Sequence, residues 1–143
     1  MTSLVFSQKA DDLIGDLNTE LLDSLVFEEV NKVRLENEQP KLYWNESLAS
    51  KAQLHSAEMV KQKKAFYDES TEAGQCIVDM LLIQYDVTYG EAAKWVVERW
   101  MNSPGHKDLM INSFFTSGGI GSAFTFSEEI GIQLKVAMFL KYE

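Results

Sequence analysis

The sequence predicts an α+β domain: three or four helices packed on a small antiparallel sheet. Three observations carry that prediction. Two stretches, near residues 22–33 and 92–100, space their apolar residues at helical intervals. A run from Ile130 to Tyr142 places Ile132, Leu134, Val136, Met138 and Leu140 on one face at period two. A short apolar run after Gly74 is rich in β-branched residues and reads as a buried strand, although its length also fits a helix from Ile77 to Gln84.

The elements follow in order. Residues 1–16 carry Asp11, Asp12 and Asp16 with little apolar periodicity and read as a flexible or loosely docked segment; residues 17–143 form a single domain. A helix is expected from about Asn18 to Asn37, because Leu22, Val26, Val30 and Val33 form one stripe. Asn31 lies beside that stripe and is expected to bond a loop. Gln39-Pro40 stops the helix. Leu42-Tyr43-Trp44 is expected to pack down before Asn45 caps a second helix over about Glu46–Lys63. Leu48, Ala52, His55 and Met59 share one face of it, so His55 points inward, where a histidine is more often a satisfied core group than a ligand. Residues 65–74 are a polar loop. Thr88 and Glu91 make a capping box, and Ala92, Ala93, Val96, Val97 and Trp100 follow on one helical face. Ser103-Pro104 ends this helix and opens a short one, with Ser103 as N-cap and His106 in the first turn. Gly119–Phe126 and Ile130–Tyr142 are strands joined at Ser127-Glu128-Glu129.

Composition narrows the function. At 143 residues the chain can bury a core without staples. A formal charge of −9 argues against nucleic acid and against charge-driven binding to anionic lipid. One cysteine, Cys76, allows no internal disulfide. No run approaches the roughly 18–20 apolar residues of a spanning helix. Leu4-Val5-Phe6 is too short for the apolar core of a signal peptide.

The segment from Trp100 onward resembles the bacterial branch of the CAP superfamily (cysteine-rich secretory proteins, antigen 5 and pathogenesis-related proteins), or SCP domains. The pattern W-M-x-S-P-G-H, then N-x-x-F-T, then G-I-G is met by Trp100, Met101, Ser103, Pro104, Gly105, His106, Asn112, Phe115, Thr116, Gly119, Ile120 and Gly121. Asn31 and Arg34 match the family's N-x-x-R, and Leu42, Trp44, Asn45, Leu48 and Ala52 its L-x-W-N-x-x-L-x-x-x-A. His55, Ser56 and Met59 match H-S-x-x-M. The resemblance implies a three-layer α-β-α sandwich. It also implies a cleft where two histidines and two acids can hold a divalent metal.

Carried over one residue at a time, that cleft is degenerate. His106 stands for one histidine. Gln75 replaces a glutamate and keeps an amide without charge. Asp68 falls where the other histidine belongs, or Tyr67 if the loop shifts by one. Ser103 falls at the second glutamate. One imidazole with one carboxylate is a poor zinc site, so no metal or cofactor is expected. For His106 two readings stand open: a helix-start residue bonded to a loop carbonyl, or the remnant of a site. Ser103 is expected to spend its hydroxyl as N-cap, and Cys76 to be an inert core thiol. A common groove is expected to hold His106 and Gln75, with Asp68 on the rim and Trp95, Tyr67 and Phe66 as walls.

The reading that follows is an exported, monomeric, non-catalytic binding module. The resemblance implies a host or envelope protein, or a lipid or sterol, as ligand. It further implies an extracytoplasmic place (secreted, periplasmic or surface lipoprotein) with the export signal upstream of this sequence. The alternatives are a metal-assisted or thiol-type hydrolase using the His106 cleft, and an envelope-anchored spacer.

Overall fold

Helices begin where the chain offers a side-chain oxygen to the open N–H groups of a first turn. The computed structural model describes residues 9–15, 17–82 and 87–143. Asn18 accepts from the Leu21 N–H at 3.1 Å and starts α1, Thr19–Glu36. Asn45 accepts from the Leu48 N–H at 2.9 Å and starts α2, Glu46–Gln62. Thr88 and Glu91 form the reciprocal capping box of α3, Tyr89–Met101. Pro104 opens α4, Pro104–Met110, but Ser103 makes no side-chain cap bond, contrary to expectation. Pro104 has no N–H of its own and its fixed φ already suits the first turn, so the helix starts without that bond.

Among the described residues, four strands form one sheet in the order β1-β3-β4-β2: β1 Tyr43–Trp44, β2 Gly74–Leu82, β3 Ser117–Ser127 and β4 Gly131–Lys141. The run after Gly74 is thus a strand, not a helix; Ile83 and Gln84 lie outside the described residues. β4 pairs antiparallel with both β2 and β3, whereas β1 pairs parallel with β3 through Tyr43–Ser117 and Trp44–Gly118. The sheet is therefore mixed, not purely antiparallel. Leu42 packs down as expected and is buried, but Tyr43 and Trp44 of this edge strand are exposed.

The three layers follow from the two faces of β4. Leu134, Val136, Met138 and Leu140 pack with Leu22, Val26 and Val30 of α1 and with Val96, Val97 and Trp100 of α3. Ala137 and Phe139 pack with Leu48, Ala52 and Met59 of α2. Gly119 and Gly121 let α2 lie directly on β3, since a Cβ on either would collide with the backbone of Ala49 or Gln53. The Ser56 hydroxyl donates to the Gly121 carbonyl at 2.8 Å across the same contact.

Two polar residues of α1 tie the loops down. The Asn31 side chain accepts from the Leu42 N–H at 2.8 Å and donates to the Leu42 carbonyl at 3.3 Å, the expected loop bond. Arg34 is almost fully buried and donates to the carbonyls of Pro40, Met110, Asn112 and Phe115 at 2.8–3.3 Å. It thereby fixes the end of α4, the helix that carries His106. Residues 9–15 of the N-terminal segment run along the start of α3, with Ile14 N–H on Val87 O, Tyr89 N–H on Asp12 O and Gly90 N–H on Ala10 O. Residues 1–8 and 16 of that segment lie outside the described residues.

Candidate functional site

α4 is laid against β2 by sulfur as well as by packing. Cys76, in β2, points its Sγ at the His106 carbonyl, 3.7 Å away. This contact uses the backbone of His106 and leaves the imidazole to the surface. The ring meets Tyr67: the phenol oxygen and His106 Nε2 are 2.8 Å apart, with one proton shared between them by a tautomer-dependent bond. His106 is partly buried, and burial lowers its pKa below the ordinary value, so it is neutral near pH 7.

The pair sits in a groove of about 330 Å³ lined by Tyr67, Ala73, Gln75, Ser103, Gly105, His106 and Leu109. The structure brings His106, Gln75 and Ser103 together there. Gln75 is spoken for: its amide donates to the Asp68 carbonyl at 2.7 Å and accepts from the Asp68 N–H at 2.8 Å. This two-point clamp holds the 66–70 loop against β2 and sets Tyr67 over His106.

Asp68 does not line this groove, which corrects the expected rim position. Its carboxylate turns back to accept from the Ser70 hydroxyl at 2.6 Å and the Ser70 N–H at 2.9 Å, and these bonds hold its pKa below the usual carboxylate value. Asp68 faces a neighbouring groove of about 700 Å³ whose wall includes His55 and Phe66. Tyr67 stands on the ridge between the two grooves. Phe66 and Trp95 are likewise not walls of the His106 groove. Phe66 packs edge-on against His55 with ring centroids 5.0 Å apart, and Trp95 packs against the α1–α3 core. His55 is buried, and its Nε2–H donates to the Phe66 carbonyl at 2.6 Å.

Chemically, the groove offers hydrogen bonds and little else. The residues present do not fit a divalent metal. His106 Nε2 is engaged by Tyr67, His55 Nε2 by Phe66, and no group of three or more His, Cys, Asp or Glu converges among the described residues. Ser103 makes no bond to the imidazole among the described residues, so no Ser–His pair forms. The Cys76 thiol is fully buried, and burial pushes its pKa up to about 12. The residue that the sequence left undecided was Tyr67. Its signal was the one-residue shift of the loop relative to Asp68, and the Gln75 clamp is what selects that shift.

Comparison with known proteins agrees with this geometry at the level of the fold. The family model described as "CAP: Cysteine-rich secretory protein family" matches residues 27–128. No curated protein matches the chain by sequence. Among solved structures, an outer surface protein from Borrelia burgdorferi is 18% identical with a TM-score of 0.61, over 84% of this chain and 92% of that one. An extracellular protein containing an SCP domain from Bacillus anthracis is 20% identical with a TM-score of 0.62, over 90% of this chain but 45% of that one. Venom allergen-like protein 4 of Schistosoma mansoni is 15% identical with a TM-score of 0.54, over 91% and 96%. The span of the family match, reaching from α1 to the end of β3, shows that this chain belongs to the CAP family of cysteine-rich secretory proteins.

Proposed function

We propose that this chain is an extracytoplasmic CAP domain that binds a ligand in the Tyr67–His106 groove and does not catalyse a reaction on it. The observation that carries the reading is the pairing of His106 with a phenol instead of a carboxylate or a metal. A neutral imidazole bonded to tyrosine presents donors and acceptors but has no acid partner to make it a strong base. Gln75 cannot supply that base, because it is an amide already bonded at both ends. The thiol-type hydrolase reading loses support from the burial of Cys76, and the metal-assisted one from the engagement of both histidines.

A few polar groups beside Ala73 and Leu109 suit a ligand with a polar head and an apolar body, a lipid or sterol, or the side chains of a partner protein. Location outside the cytoplasm draws on the Borrelia outer surface protein and the Bacillus extracellular protein as structural neighbours. The test is a titration of isotope-labelled protein with oleate and with a soluble sterol ester, read by amide chemical shifts. Saturable shifts centred on Tyr67, Gln75 and His106, weakened in both Tyr67→Phe and His106→Ala, are expected. Shifts that ignore both changes would place the binding site elsewhere.

A further inference from the structure

A further cavity lies beneath the β3–β4 hairpin, between the C-terminal end of α2 and the sheet, with a volume of about 300 Å³. It is separate from the His106 groove: Asp79, on its wall, stands four residues along β2 from Gln75. Its floor is Lys135, directly opposite Asp79 in the β2–β4 register. Lys135 Nζ lies 3.0 Å from Asp79 Oδ2, and Gln133 donates to Asp79 Oδ1 at 2.7 Å.

The two partners of this ion pair are buried unequally. The Lys135 side chain is 3% exposed and that of Asp79 32%. The carboxylate has both oxygens bonded and reaches water. The ammonium has three N–H groups, gives one bond to Asp79, and belongs to a side chain that is almost fully buried. Desolvating a cation in this way is costly unless its remaining donors find acceptors. Lys135 is one of the residues that line a cavity large enough for a small molecule. A second cation, Lys63, and the Ser127 hydroxyl line the same space. Ser127 Oγ accepts from the Ile130 N–H at 3.2 Å, which leaves its own proton to donate. Val60 and Ile130 supply apolar wall.

We infer that this cavity is a binding site for a small organic monocarboxylate. The carboxylate bonds the Lys135 ammonium at the floor, with Lys63 and Ser127 as further donors, and a short apolar tail lies on Val60 and Ile130. A chain of net charge −9 repels anions from its general surface, so binding of an anion reports on a local arrangement of donors.

Sodium butyrate is the probe, titrated against sodium chloride at equal ionic strength and followed by amide shifts. Saturable shifts at Ser127, Gly131 and Lys135 are expected, with none at His106. Lys135→Met should abolish them. Should that variant fail to fold, Lys63→Glu decides instead: Lys63 is exposed, and reversing its charge should weaken binding at least about fivefold, the scale of a partly screened charge contact. Absence of saturable shifts overturns the inference, as does an affinity that Lys63→Glu leaves unchanged.

Discussion

Asp23 shows how a single buried residue sets the pH response of the fold. It lies on α1, is 8% exposed, and accepts from the buried Ser122 hydroxyl at 2.6 Å. Burial raises its pKa from 3.8 to about 7, against the lowering effect of the Ser122 bonds and with a further push from Glu20. Between those two values the unfolded carboxyl is ionised while the folded one still holds its proton. The stability it contributes is therefore full below pH 3.8 and is lost as pH rises through about 7. Asp23→Asn keeps an acceptor for Ser122 and cannot ionise. It should raise stability at pH 8 by a few kcal/mol, at about 1.4 kcal/mol per pKa unit, and change little at pH 4, as read by urea denaturation at the two pH values. An equal effect at both would mean that Asp23 does not titrate with folding. Cys76 makes a parallel case. Its thiol is 0% exposed with a pKa raised to about 12, so native labelling by a thiol reagent should be slow and speed up only on unfolding. Rapid native labelling would return the thiol to the list of reactive groups.

Among the elements, α3 carries the largest fully buried side chain of the described residues, Trp100. Trp100 is 1% exposed within the core shared by α1, α3 and the sheet. Trp100→Ala should cost roughly 3–5 kcal/mol, the usual penalty for emptying a large aromatic site. Its indole N–H is buried without a hydrogen-bond partner. Trp100→Phe removes that unpaired N–H but only part of the ring volume, so it should cost clearly less than Trp100→Ala. Equal losses, or an unchanged denaturation midpoint in the alanine variant, would mean that the buried face of α3 is misassigned. This face, like the caps at Asn45 and Thr88, was legible in the sequence because its signals are local: a capping oxygen and a 3.6-residue period lie within a few positions of one another. The parallel pairing of β1 was not legible. Two residues carry no periodicity, and the partner strand begins at Ser117, far along the chain. The bare Ser103 cap was missed for a related reason: the sequence shows that a hydroxyl is available but not where it points. Tyr67 lay between two loop registers until the Gln75 amide fixed one of them.

At the scale of the whole molecule, the sandwich was legible from the resemblance and the alternating pattern of β4, while the fate of the cleft depended on contacts between distant segments. Arg34 pins the end of α4, Cys76 holds its first turn to β2, and Gln75 holds the loop that brings Tyr67 to His106. The result is a groove that sets an amide, a phenol and a hydroxyl beside the His106 imidazole. The role proposed for this groove is to bind without catalysing. The direct measurement is hydrolysis of a chromogenic butyrate ester and of fluorogenic peptides by the wild-type protein and by His106→Ala under identical conditions. Both are expected to run at the rate of the protein-free blank. Turnover by the wild type that His106→Ala removes would contradict it.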